Sequence, residues 1–427
     1  MMLAGSDIAK TTTHKVVLPF YIYAALAFVV SAVLLLASSH AFSGHYFQPK
    51  ILAVTHAMAL GWGTMIILGA SHQLLPVLTG GKLYSPSLAY LSFIFSGTGI
   101  PLLVWAFYIF DMHWPAQYGA VLVNTGVLLY LINVGASIDQ SRHGNVHATF
   151  IFTAGVWLFI TTAVGGFLVF NFTAHILPEN SLHYLSLHAH IGIAGWFLLL
   201  VIGVGSRLIP MFLISKFNHP GMLWWMYFLI NGGLVIFLIL FLLPFPSFTY
   251  LFPAALVAAA LVLFGAYCRH AYRQRIRKQV DGQMKISLLS VLMMIVPMVF
   301  LFTIIAVLLL SGASTSLVLA YGFTIFFGWL TALILGMTFK TLPFIVWNKT
   351  YHAKAGLGKT PHPKDLFSSR MFNGMAFSYL AGFVCFAVGI LAGNTLITQA
   401  GAVLLLCSAV LYSGNVFKIF FHKATVK

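Results

Sequence analysis

The sequence predicts an all-α, polytopic membrane protein with about 12 transmembrane helices in three pseudo-symmetric four-helix units. Three observations predict it. Of 427 residues, 60% are hydrophobic and only 7% are charged, a balance that soluble domains do not reach. The apolar residues fall into runs long enough to cross a hydrocarbon core of about 30 Å. Three of those runs, spaced every fourth span, repeat one template.

The runs lie at 17–38, 51–78, 88–110, 116–138, 149–172, 188–213, 222–244, 250–268, 286–311, 318–346, 371–392 and 396–420. The first has an apolar core too long for a signal peptide, and no small-residue cleavage site separates it from the second, so it reads as a retained helix. The second, sixth and tenth carry the template. From His56 the chain reads HAMALGWGTMIILGASHQLLP, from His190 HIGIAGWFLLLVIGVGSRLIP, and from Phe323 FTIFFGWLTALILGMTFKTLP. Gly-Trp stands at offsets five and six (Gly61-Trp62, Gly195-Trp196, Gly328-Trp329). Glycine returns at thirteen (Gly69, Gly203, Gly336) and proline at twenty (Pro76, Pro210, Pro343). Repetition of a multi-helix unit is a common way to build membrane proteins. The expected organisation is one transmembrane domain over 1–427, with repeat units at roughly 17–138, 149–268 and 286–420 around a pseudo-threefold axis.

Charge orients the helices. Lysine and arginine concentrate before the first run, after the last, and between each even run and the next odd one. The 269–285 loop holds Arg269, Arg273, Arg275, Arg277, Lys278 and Lys285, and the 347–370 loop holds Lys349, Lys354, Lys359, Lys364 and Arg370. The opposite loops hold only Lys50. The positive-inside rule then makes both termini cytoplasmic. The net charge of +16 is topological: it is spread over short loops, so its partner is the lipid bilayer and its anionic headgroups, with no nucleic acid. Cys268, Cys385 and Cys407 show no pairing or thiolate-site spacing.

The repeat supplies an internal control for the histidines. Two copies begin with histidine and the third with Phe323, so the fold does not require an imidazole at that position. Intramembrane polar side chains are costly and mark function. His56 and His190 therefore read as a facing pair near the outer membrane surface, the arrangement that holds a six-coordinate haem iron in a helical bundle.

The element His188-Ala-His190 opening a long descending helix resembles the His-x-His helix of the haem–copper oxidase catalytic subunit, a superfamily that includes cytochrome c oxidase subunit I and the nitric oxide reductase large subunit. His56, with GASHQLLPVL at the far end of its helix, is similar to that family's helix-two haem ligand. Twelve helices, an inner N-terminus and threefold pseudosymmetry are also similar. Proteins of the NnrS type, linked to nitric oxide defence, open a helix in a similar way. The resemblance implies that His56 and His190 hold a low-spin haem b and that His188 reaches a second haem across its helix. Helical positions two apart point about 200° apart, so one helix can face two sites.

The chain departs from the family in two respects. The His-x-His opens the sixth helix and not the tenth, where Tyr321 and Phe323 stand. No His-His dipeptide is present to build the family's copper site. His175, His183 and His188 together offer a three-imidazole set for copper, zinc or non-haem iron. Asp111 and Glu179 lie at the outer edge, while Asp7, Asp139, Asp281 and Asp365 are inner or terminal; proton pumping, which needs buried acids, is not expected. Without a C-x-x-C-H haem attachment motif, electrons must come from an external donor: cytochrome c, a copper protein or a quinol, with partner subunits a further expectation. Three classes stay open: a haem redox protein reducing O2 or NO, a non-enzymatic haem or copper handler of the nitric oxide response, and a transporter. Arg207 and Lys340, at offset seventeen, are expected to snorkel to headgroups.

Overall fold

A computed structural model describes residues 12–141, 145–354 and 360–424. Asp7 and Lys359 lie outside the described residues. Among the described residues, twelve helices are long and apolar enough to cross a membrane. They are α1 (His14–Ala37), α2 (Pro49–Thr79), α3 (Pro86–Ile109), α4 (Trp114–Asp139), α5 (Val146–Ala174), α6 (Leu185–Leu213), α7 (Pro220–Leu242), α8 (Ser247–Arg273), α9 (Gly282–Leu310), α10 (Thr315–Tyr351), α11 (Ser369–Ala392) and α12 (Thr395–Phe420). No strand forms among the described residues; the single bridge joins Ser215 and Arg275. The protein is an all-α integral membrane protein.

Burial separates the template helices from the rest. The most apolar windows of α2, α6 and α10 are 78, 78 and 72% buried, whereas the other nine helices range from 22 to 44%. A lipid-facing helix is apolar all round because lipid replaces water on its outer face; sequence hydropathy therefore cannot rank these helices, and packing can. The template prolines do not end their helices. α2 and α6 run three residues past Pro76 and Pro210, to Thr79 and Leu213, and α10 runs from Pro343 to Tyr351.

By contacts the chain forms two compact units. One comprises Thr13–Gly69, Asp281–Met293 and Thr315–Lys427; the other comprises Ala70–Val280 and Met294–Ser314, with Thr12. These are not the three contiguous repeats. The boundaries cut α2 after Gly69 and α9 after Met293. The second cut has a local cause: α9 is interrupted at Met294, where Pro297 clashes with the carbonyl four residues earlier and donates no hydrogen bond of its own.

The repeat is visible inside each unit as recurring contacts. The offset-thirteen glycine marks where the first helix of each repeat crosses the template helix. A Cβ at Gly69 would sit 2.6 Å from the Phe20 Cβ of α1. At Gly203 it would collide with the Phe150 Cβ of α5, and at Gly336 with Ser287 of α9. Small residues that let backbones approach are the usual device of membrane helix packing.

A second template joins the remaining helices in pairs, α3 with α4, α7 with α8 and α11 with α12. Each pair starts from an N-cap: Ser85, His219 or Ser368. Fourteen residues on (85 to 99, 219 to 233, 368 to 382) stands a glycine. Gly99 meets the Gly119 carbonyl, Gly233 the Pro253 carbonyl and Gly382 the Gly401 carbonyl, at 2.8, 3.3 and 2.9 Å from an added Cβ. Fourteen residues beyond those partners (119 to 133, 253 to 267, 401 to 415) a side chain returns to the N-cap. Asn133 accepts from Ser85 N at 2.9 Å and donates to Ser85 O at 3.0 Å. Asn415 does the same to Ser368, at 2.8 and 3.0 Å. In the middle pair the Tyr267 hydroxyl engages the backbone of His219.

Candidate functional site

All three template helices change character directly after their first template residue. Ala57–Thr64, Ile191–Leu198 and Thr324–Leu330 are π-helical, following His56, His190 and Phe323. π-Turns are rare and often accompany function. Here the third copy carries one without a histidine, so the widened turn belongs to the scaffold. In α10 it frees the Gly328 carbonyl, which the Tyr379 hydroxyl bonds at 2.7 Å, and Thr331 donates to the Phe326 carbonyl at 2.6 Å. Within a bilayer those carbonyls need such partners.

His56 and His190 share a local geometry. The Nδ1 of His56 lies 2.8 Å from the Leu52 carbonyl, and that of His190 lies 2.7 Å from the Ser186 carbonyl. A carbonyl only accepts, so each Nδ1 carries the proton and the lone pair sits on Nε2. A backbone carbonyl fixing the far nitrogen is the usual support of a ligating histidine. Both histidines are half-buried at the start of a π-turn. The donor set therefore suits haem iron at each position.

His188 leaves α6 toward a different neighbour. Its Cε1 would lie 2.9 Å from a Cβ on Gly165 of α5, whereas the His190 ring packs on Phe237 of α7, with centroids 5.3 Å apart. Counting fifteen residues from the crossing points of α1, α5 and α9 gives Leu35, Gly165 and Phe302. Only the repeat with His188 has glycine there. Sequence reading missed Gly165 because the register of α5 against α6 is set by the Phe150–Gly203 crossing, which the linear chain does not display.

The structure does not bring His175, His183 and His188 together. Among the described residues, no three His, Cys, Asp or Glu side chains are grouped to hold a metal ion. His175 caps α5 in a left-handed conformation, exposed, at φ 47°. His183 packs edge-on against Tyr184 at 4.9 Å and against Phe241 at 5.2 Å. These aromatic contacts position the His183 ring.

Other positions resolve locally. Lys340 pairs with Asp281, the N-cap residue of α9, so the expectation that it snorkels to headgroups is corrected; Arg207 is exposed, as snorkelling requires. Trp62 is fully buried, stacks on Phe28 at 4.4 Å and donates to Thr331 at 3.1 Å. Trp196 packs edge-on to Tyr130 at 6.2 Å. These two template tryptophans are thus packing residues. Phe323, at the histidine position of α10, stacks on Phe327, Phe383 and Phe386 at 5.2, 5.7 and 4.6 Å.

No protein-family model matches the chain, and no curated protein matches it either. Functional assignment therefore starts from these side chains.

Proposed function

We propose that the protein is a haem-b-binding integral membrane electron carrier, for which His56 and His190 would each offer an imidazole nitrogen to haem iron. One observation carries the reading: both rings donate Nδ1–H to the carbonyl four residues earlier, at the two template positions where the third repeat has phenylalanine. The chemistry proposed for a haem so held is one-electron transfer. The haem supplies the redox couple when bound; the chain's own residues fix the ligating tautomer and exclude water. The donor is an external cytochrome c, copper protein or quinol. The resemblance to the haem–copper oxidase superfamily agrees with this reading. The transporter alternative calls for helix breaks with polar groups left for substrate; the break at Gly328 is closed internally by Tyr379.

An optical spectrum of the purified protein, dithionite-reduced with and without CO, tests the proposal. A low-spin haem b spectrum indifferent to CO is the expected result. Absence of haem bands overturns the reading, and a CO-reactive haem overturns the restriction to electron transfer.

A further inference from the structure

α2 and α6 both turn into a left-handed residue four positions after the template proline, but the residues differ. Gly80 follows α2 at φ 66° and Ile214 follows α6 at φ 53°. Glycine adopts that backbone freely, whereas a β-branched residue there is strained. Glycine therefore suffices for the turn, and the isoleucine is held against its own preference. Burial does not compensate, since Ile214 is 54% exposed. Strain of this kind gathers where function needs a particular side chain.

The turn lays the chain against the end of α8. Ser215 bridges to Arg275, and the Ile276 N–H donates to the Ile214 carbonyl at 3.1 Å. Ile214 is thereby set beside Ile276, which is 63% exposed. Phe217 fastens the same loop to α8, stacked on His270 at 5.4 Å and edge-on to Tyr267 at 4.9 Å. The Arg275 guanidinium lies 3.8 Å above the Tyr272 ring and donates through Nη1 to the Tyr272 carbonyl at 2.8 Å. Its Nε–H is buried without a hydrogen-bond partner among the described residues. Lys216, Arg273, Arg277 and Lys278, all exposed, flank the two bridged segments in sequence. No Asp or Glu occurs between Arg207 and Val280. The third repeat differs: its offset-seventeen cation, Lys340, pairs with Asp281 at the start of α9, whereas α5 of the second repeat starts from the neutral Asn145.

We propose that the bridged ends of α6 and α8 bind one anionic phospholipid, with the phosphate on Arg275 and the flanking basic side chains and the acyl chains on Ile214 and Ile276. Exposed isoleucines beside arginines match a molecule that joins charge to hydrocarbon, at the depth where headgroups meet acyl chains. A free phosphate would use the arginines and leave the strained isoleucine without a role. The site requires no haem.

Calorimetric titration of the full-length, delipidated protein in detergent tests this, with dioctanoyl-phosphatidylglycerol, dioctanoyl-phosphatidylcholine and inorganic phosphate as probes. Phosphatidylglycerol should fill one site and bind more tightly than either of the others. Arg275→Gln should weaken it about fivefold, the effect of one basic side chain at a membrane surface. Ile214→Gly keeps every charge and relaxes the turn; it should also weaken the lipid, while melting no lower than wild type when lipid is absent. Lys364→Gln, exposed in the loop after α10, controls for net charge and should bind as wild type does. Equal affinity for the two lipids, wild-type binding by Arg275→Gln, or an equal loss in Lys364→Gln overturns the site. Wild-type lipid binding by Ile214→Gly, or inorganic phosphate binding as tightly as the lipid, overturns the phospholipid as its occupant. Should Arg275→Gln lose helicity, Ile214→Gly decides alone.

Discussion

α2 and α10 are built on the same template yet end differently at their first position. In α2, His56 directs Nδ1 to the Leu52 carbonyl of its own backbone. In α10, Phe323 is sealed into a stack of three further phenylalanines. The π-turn, the Gly-Trp pair, the offset-thirteen crossing and the proline are common to both. What they share is therefore what the fold needs, and what they do not share is left open to chemistry. A threefold repeat separates the two within one chain, without any second protein for comparison.

The sharpest way to break that contrast is to copy the third repeat into the others. His56→Phe and His190→Phe should each abolish the low-spin haem signal while the helical circular dichroism of the purified protein stays at the wild-type level. Retention of the signal in either variant removes that residue from the ligand set. Loss of helicity along with the haem would show instead that the imidazole is a folding element and that Phe323 is no guide to its neighbours.

The next effect concerns the shared scaffold. Gly203→Ala places a methyl onto Phe150, and Gly69→Ala places one onto Phe20. Neither contact can rotate away, because the Cβ of the neighbour is fixed by its own backbone. Overpacking of this kind costs about 1–3 kcal/mol. Thermal unfolding followed by helicity should show a lowered midpoint in both, whether or not haem is bound. A melt unchanged from wild type would mean the crossings are looser than the close approach implies.

The division between legible and hidden features follows from what a bilayer does to sequence. Twelve spans and the α2/α6/α10 template could be read directly, because spans are long and the template residues are few and invariant in spacing. The second template could not. Asn133, Tyr267 and Asn415 perform one task, bonding the backbone at the start of the neighbouring helix, and one of the three differs in residue type. The Gly165 notch was hidden for the same reason: its meaning lies in register between helices. Lys340 was misjudged because its partner Asp281 sits 59 residues away, at a helix start that reads as loop in the sequence. The two-unit division was hidden as well, since the break of α9 at Met294 depends on how Pro297 acts within a long apolar run.

The second template yields a smaller, graded test. Asn415→Ala removes both bonds to Ser368 and leaves a backbone pair unsatisfied, a loss of about 1–3 kcal/mol. Tyr267→Phe removes one polar contact, with about 0.5–1.5 kcal/mol at stake. The ratio of the two melting shifts measures how fully the tyrosine replaces the asparagine. Equal shifts would show that the second asparagine bond contributes little in the membrane.

The last comparison has the smallest net effect, in a double variant, and is also the most discriminating. Three residues before each returning side chain stand Tyr130, Phe264 and Tyr412, and the template helix opposes them with Ser71, Gly205 and Thr338 at offset fifteen. The Tyr130 hydroxyl faces Ser71, the Tyr412 hydroxyl meets Thr338 at 3.1 Å, and the Phe264 ring packs on Gly205. Where the phenol loses its hydroxyl, the partner loses its own. An unpaired buried hydroxyl costs about 1–3 kcal/mol, whereas removing both partners can be nearly neutral. Tyr412→Phe alone should therefore lower the melting midpoint, and adding Thr338→Val should restore most of the loss. If the double variant melts no higher than the single, the covariation in the middle repeat reflects packing volume and not hydrogen-bond pairing, and α6 differs from α10 for a reason of shape alone.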